Sequence, residues 1–173
     1  MTWSLHANSV KAACEKHWLA NRSECNQFVS AVAREMLAII PGDEREADLM
    51  VRTMNEPWWT DTSGVHFLIP RGHHAAAKAI EFANYGYFVI AGMTAEDINL
   101  AHNWHPPMVL QRHGHVAVVT PGIGKNGWPR GYWGKHGGVG CKDESLSQTF
   151  PHVHPELVYY FCTRLGPSLL DGA

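Results

Sequence analysis

A cysteine and a distant histidine have the residue types and local contexts for nucleophilic attack on a carbonyl. Cys25 begins a stretch whose apolar residues recur at the spacing of an amphipathic helix: Phe28, Val29, Val32, Ala33, Met36 and Leu37. We expect Ser23 to cap this helix, which places Cys25 in its first turn. A thiol near the positive end of the helix dipole ionises more readily, and the thiolate is the nucleophile.

His115 stands at the start of a short run rich in β-branched valines, 115–119, which Thr120-Pro121-Gly122 closes. Such a run indicates a strand buried on both faces. A cysteine at a helix start together with a histidine on a strand is the arrangement for Cys–His acyl transfer. In that chemistry Cys25 is the nucleophile, His115 the general base and acid, and the backbone N–H of Cys25 an oxyanion donor.

Each of these residues also has a purely structural interpretation. Most free cysteines are small buried apolar residues, and the helix alone does not separate that role from a catalytic one for Cys25. His115 has the alternative of a hydrogen-bonded histidine at the edge of the core. It is the pairing of the two residues that favours catalysis.

The surrounding pattern predicts an α+β fold in a single domain over residues 1–173, with N-terminal helices packed on an antiparallel sheet. We expect helices at 8–20, 25–40, 43–54 and 73–84, and strands at 87–92, 115–119, 131–134, 147–150 and 157–163. Pro41-Gly42 is the expected stop of the second helix. Residues 94–111 read as a long polar insertion, and 60–71 as weakly patterned.

Composition excludes several classes of function. The net charge of −2 gives no polyanion-binding surface, so we expect no nucleic acid partner, and no apolar run approaches a membrane span. The N-terminus lacks the pattern of a signal peptide, which predicts synthesis in the cytoplasm.

Paired histidines could supply the ligands of a zinc hydrolase, yet neither C-x-x-C nor H-E-x-x-H occurs, so we expect no metal and no cofactor. If Cys25 is catalytic, the other cysteines, at 14, 141 and 162, allow at most one disulfide.

The two motifs together carry a family resemblance. Cys-x-x-Phe-Val at 25–29 and Gly-His-Val-Ala-Val-Val at 114–119 resemble the NlpC-like branch of papain-fold cell-wall hydrolases. The chain is most similar to the first family of type VI secretion amidase effectors. Further segments match in order over residues 8–165, including Pro41-Gly42, 86–92, Pro129, Trp133-Gly134 and Tyr159-Tyr160.

The resemblance implies a papain-like, NlpC-type fold and a secreted antibacterial toxin. Such effectors are made in the bacterial cytoplasm, are injected by the contractile type VI secretion apparatus, and act in the periplasm of the target cell. There they cut the peptide stem of peptidoglycan, typically between D-glutamate and meso-diaminopimelate, while a cognate immunity protein protects the producer. Delivery by the apparatus would account for the missing signal peptide.

One position departs from the family pattern. Relatives usually place a polar group on the next strand to orient the histidine, and here that strand offers Trp133, which cannot accept a hydrogen bond. We take His136 as the candidate third member of the triad, with a backbone carbonyl as the alternative. Trp104 and Trp133 are the candidate substrate-binding residues.

Two other functions stay open at this point. One is a wall-remodelling peptidase of the CHAP-like or NlpC-like kind that is not an effector. The other is a non-catalytic binding module that keeps the fold without a working triad.

Overall fold

The computed structural model of the chain describes residues 3–40, 46–59, 64–101 and 110–165, with side chains from residue 6 onward. Within these ranges five α-helices precede or interrupt the strands: α1 Trp3–Asn21, α2 Cys25–Glu35, α3 Ala47–Met54, α4 Ala75–Asn84 and α5 Ala95–Ala101. Six strands form one sheet: β1 His66–Ile69, β2 Phe88–Met93, β3 His115–Ile123, β4 Pro129–Trp133, β5 Cys141–Ser145 and β6 Tyr159–Thr163. Short 3₁₀ turns lie at Lys125–Gly127, Leu146–Gln148 and Pro155–Leu157.

The sheet is antiparallel throughout, with the strand order β1-β6-β2-β3-β4-β5. Helices pack on it, so the predicted α+β class with helices on an antiparallel sheet is confirmed. No helix in the described ranges is both long and apolar enough to cross a membrane.

Strand β3 runs through the middle of the core and is buried on both faces from Val116 to Thr120, as its apolar run predicts. Alternate residues point to opposite sides of a sheet. Val116 and Val118 pack with α2 and Phe28 in one apolar cluster, whereas Ala117 and Val119 belong to a second cluster built around α4.

Helix α2 has the predicted buried face but differs from prediction at both ends. Its N-cap is Glu24, which makes no side-chain capping bond, so the expectation for Ser23 is wrong. The helix ends at Glu35 instead of Ile40, because Leu37 adopts φ +53° and the N–H of Ala38 bonds to the carbonyl of Ala33. This is a Schellman ending with leucine where glycine is usual, and sequence offers little warning of it. The expected stop at Pro41-Gly42 lies outside the described residues.

Several strand and loop predictions are also wrong. The weakly patterned segment 60–71 contains β1, a four-residue edge strand. Strand β5 was not predicted either, because three consecutive charged residues, Lys142, Asp143 and Glu144, leave no alternation of apolar and polar residues. Residues 147–150 form a 3₁₀ turn and its exit instead of a strand. The segment expected to be a polar insertion begins with helix α5. Thr94 caps the start of this helix, because its hydroxyl oxygen accepts a hydrogen bond from the N–H of Asp97 at 3.1 Å.

Candidate active site

The start of α2 lies against the end of β4, in a contact that requires glycine. A Cβ on Gly134 would come within 2.5 Å of the Glu24 carbonyl oxygen and 2.6 Å of that of Asn21. In addition, the carbonyl oxygen of Arg22 accepts two hydrogen bonds, from the N–H groups of Lys135 and Gly140 at 3.0 and 2.9 Å. Loop 22–24 is therefore held in place directly before Cys25.

This placement brings Cys25 to the start of β3. The Cys25 thiol is within hydrogen-bonding reach of the backbone N–H of Val116, the residue that follows His115. The N–H groups of Cys25 and Asn26 also point toward the sulfur. As the first residue of α2, Cys25 has an N–H that no carbonyl inside the helix accepts, which is the condition for an oxyanion donor.

The ionisation of the thiol differs from prediction. Cys25 is buried, with 4% of its surface exposed. Burial raises the pKa of the thiol to about 11, the charge of Glu24 adds to the rise, and the backbone N–H groups oppose it. The expectation that the helix start would favour the thiolate is wrong for this structure, because desolvation outweighs the helix dipole.

His115 is half-buried, and its ring meets the ring of Phe150 edge to face at 5.7 Å between centroids. Burial lowers the pKa of His115 to about 4, and the positive charge of Lys135 contributes to the shift. Within the described residues no hydrogen bond joins His115 to Cys25. Cys25 belongs to the apolar cluster that contains Val116, whereas the ring of His115 lies against Phe150 of the other cluster.

The third member of the predicted triad is not where a triad needs it. His136 Nδ1 lies 2.9 Å from Glu24 Oε1, so this histidine pairs with the residue before the cysteine, and its ring neighbours that of His113 at 5.2 Å. The Nε2 atom of His115 is buried and has no hydrogen-bond partner in the part of the chain that the structure describes. Neither His136 nor a backbone carbonyl orients the His115 ring through that nitrogen.

A cleft of about 270 Å³ opens on the face of β3 that carries His115. Its wall contains one lysine, three histidines and two large aromatic rings: Lys135, His113, His115, His136, Trp133 and Phe150. Trp133 lines this cleft, although only 3% of its surface is exposed, while Trp104 lies outside the described residues.

Asp48 is a residue near the site that sequence reasoning missed. Its carboxylate accepts hydrogen bonds from the backbone N–H of Gly114 and, at 2.8 Å, from that of Ala95. The sequence carries no local signal of this role, because Asp48 and Gly114 belong to elements far apart in the chain.

The remaining cysteines form no disulfide. All four are free, with Cys14 and Cys162 buried and Cys141 partly exposed. Among the described residues no group of three or more histidine, cysteine and acidic side chains is arranged to hold a metal ion.

No model of a protein family matches the chain, and no curated protein sequence matches it significantly.

Proposed function

We propose that the protein is a cysteine amidase of the papain-like, NlpC-type fold that cuts the peptide stem of peptidoglycan. The observation that supports this most is the position of the Cys25 sulfur at the Val116 N–H, beside His115 at the start of β3. This contact brings the backbone of two segments far apart in the chain together, and Cys–His acyl transfer requires a nucleophile and a base from such segments.

In the proposed reaction His115 removes the proton of the Cys25 thiol as the sulfur attacks the amide carbonyl. The N–H of Cys25 stabilises the oxyanion. The imidazolium then returns the proton to the leaving amine, and water, deprotonated by the same histidine, hydrolyses the thioester. Each proton that His115 takes is passed on, so both residues return to their starting forms.

The proposed mechanism requires a rearrangement at the start of β3. The ring of His115 lies against Phe150, while Cys25 packs in the cluster that contains Val116, so substrate binding has to turn the ring from Phe150 toward the sulfur. A neutral imidazole is the form that accepts a proton, and the lowered pKa of His115 keeps it in that form at neutral pH.

The cleft suggests which side of the substrate carries acid groups. His115 protonates the leaving amine, so the leaving residue lies on the same side of the sheet as His115 and its cleft. Lys135 contributes a positive charge there, and His113 and His136 contribute hydrogen-bonding rings. In a stem peptide cut between D-glutamate and meso-diaminopimelate, the leaving diaminopimelate carries the free carboxylate of its D-centre, which suits this wall.

Delivery and partners are proposed from the family resemblance in the motifs. The protein would be injected by a type VI secretion apparatus, act in the periplasm of a competitor, and bind a cognate immunity protein in the producer. A wall-remodelling peptidase would use the same chemistry without these partners.

Cleavage of purified stem peptides tests the proposed chemistry. Wild-type protein should release a diaminopimelate-bearing product, Cys25→Ala should release none, and Cys141→Ala should match wild type because Cys141 lies on β5 outside the cleft. The product masses identify the bond. Equal cleavage by Cys25→Ala and wild type, or no cleavage by wild type, would overturn the proposal.

A binding module is the second candidate, and it is favoured because, in the part of the chain that the structure describes, no hydrogen bond joins the Cys25 thiol to the His115 imidazole. Under this alternative wild type and Cys25→Ala bind peptidoglycan equally well in a sedimentation assay, and neither releases any product. Release of product by wild type alone would exclude it.

A further inference from the structure

Asp48, in the first turn of α3, joins the two ends of the connection between β2 and β3. Its Oδ1 accepts from the N–H of Ala95, two residues after β2 ends, and its Oδ2 accepts from the N–H of Gly114, one residue before β3 begins. A carboxylate in this position is also favoured by the dipole of α3.

The contact around Gly114 leaves no room for a side chain. A Cβ at this position would lie 2.6 Å from the carbonyl oxygen of Met93 and 3.0 Å from Asp48 Oδ2. Met93 is also the residue that pairs with His115 across the β2–β3 ladder. The backbone that leads into His115 is therefore held between the end of β2 and the carboxylate of Asp48.

From these contacts we infer that Asp48 is a positioning residue, which fixes the backbone that carries the His115 ring. The inference rests on the proposed amidase function. Asp48 itself touches none of the reacting atoms; it acts through Gly114. A merely structural role, in which Asp48 only stabilises the starts of α3 and α5, is the alternative to be excluded.

The opposite end of β3 supplies a matched control. Asp143 accepts a hydrogen bond from Thr120 Oγ1 at 3.2 Å and pairs with Lys11 at 2.7 Å. Like Asp48 it is a partly buried aspartate that ties β3 to neighbouring elements, but it does so far from His115. Asparagine suits its backbone, which has φ +49°.

Kinetics of Asp48→Asn and Asp143→Asn on stem peptides form the first test. An asparagine at 48 keeps one acceptor oxygen and turns an N–H donor toward the second backbone N–H, so one of the two bonds is lost. We expect kcat to fall about 10- to 100-fold from misplacement of the base, with KM within about twofold. Asp143→Asn should keep kcat while losing comparable thermal stability. Equal kcat in both variants would overturn the inference.

A second test does not depend on amidase activity, so it separates failure of this inference from failure of the proposed function. In the inactive Cys25→Ala background, NMR of the imidazole nitrogens should show a changed chemical shift and a higher pKa for His115 on Asp48→Asn, and no change on Asp143→Asn. His115 is assigned by its loss in His115→Gln. An unchanged His115 signal in a folded Asp48→Asn protein would contradict the inference.

Amide hydrogen exchange of the wild-type protein tests the contact on which the inference stands, and it does so even if Asp48→Asn does not fold. The amides of Gly114 and Ala95 should exchange as slowly as that of Val116, because each donates to a fixed carboxylate. Exchange of either amide at the rate of an open loop would show that Asp48 does not hold this segment, and the inference would fall.

Discussion

The thiol of Cys25 lies at the backbone N–H of Val116, so the first residue of α2 meets the start of β3 directly beside His115. The contact forms because Gly134 lets loop 22–24 approach the end of β4. In the structure the thiol and the imidazole are both neutral, and burial is the main cause of each shift. The predictions below follow from this arrangement.

Alkylation should distinguish Cys25 from Cys141. Burial raises the pKa of Cys25 to about 11, and burial with the charge of Glu144 also raises that of Cys141. Cys141 is partly exposed, whereas Cys25 is buried. At pH 7.5 iodoacetamide should modify Cys141 well before Cys25, and the rate at Cys25 should keep rising up to about pH 11 because only the thiolate reacts. Peptide mass spectrometry measures both rates. Preferential labelling of Cys25 with a midpoint below that of an ordinary thiol would contradict the structure.

The lowered pKa of His115 predicts a loss of stability in mild acid. The unfolded chain binds the proton near pH 6.5 while the folded protein resists it down to about pH 4. The contribution of His115 to the free energy of unfolding is therefore fully present above pH 6.5. As the pH falls from 6.5 toward 4 this contribution is lost, by on the order of 2 kcal/mol. Urea unfolding at pH 7 and pH 4.5 measures the difference.

His115→Gln should lose less stability than wild type between those two pH values, since glutamine does not titrate. His74→Gln is the control, because His74 is exposed. If His115→Gln and wild type lost the same stability on acidification, His115 would not be the buried neutral base described here.

Gly134 and Gly138 form a matched pair of glycines in one loop. A Cβ on Gly134 meets the backbone oxygen of Glu24 at 2.5 Å, whereas on Gly138 it meets the flexible side chain of Lys135 at 3.3 Å. Gly134→Ala should therefore shift the start of α2, cost about 1–3 kcal/mol of stability and reduce amidase activity. Gly138→Ala should leave both nearly unchanged. Chemical denaturation and stem-peptide cleavage test the pair, and equal effects from the two alanines would count against the close packing at Cys25.

Sequence patterns predicted the parts of the fold in which burial follows a regular period. The apolar face of α2 and the continuous apolar run of β3 could be read directly, and they also carried the two candidate catalytic residues. Features that depend on distant partners could not be predicted. The bond from Gly114 to Asp48 joins residues of different elements, and the pairing of His136 with Glu24 replaced the expected contact with His115.

The protonation state of the Cys25 thiol could not be predicted from the sequence for a related reason. A helix start favours a thiolate, but the depth at which Cys25 lies depends on how α2 packs on β3 and β4. Four per cent exposure is enough for desolvation to decide the sign of the shift.

The central claim is that Cys25 and His115 act as one catalytic unit, and a double-mutant cycle on stem-peptide cleavage tests it most directly. Groups that act as a unit show strongly non-additive losses. We predict that Cys25→Ala, His115→Ala and the double variant all fall to the same background rate, with about 10³-fold or greater loss in kcat/KM. A His115→Ala enzyme that kept its activity within about tenfold of wild type would contradict the account.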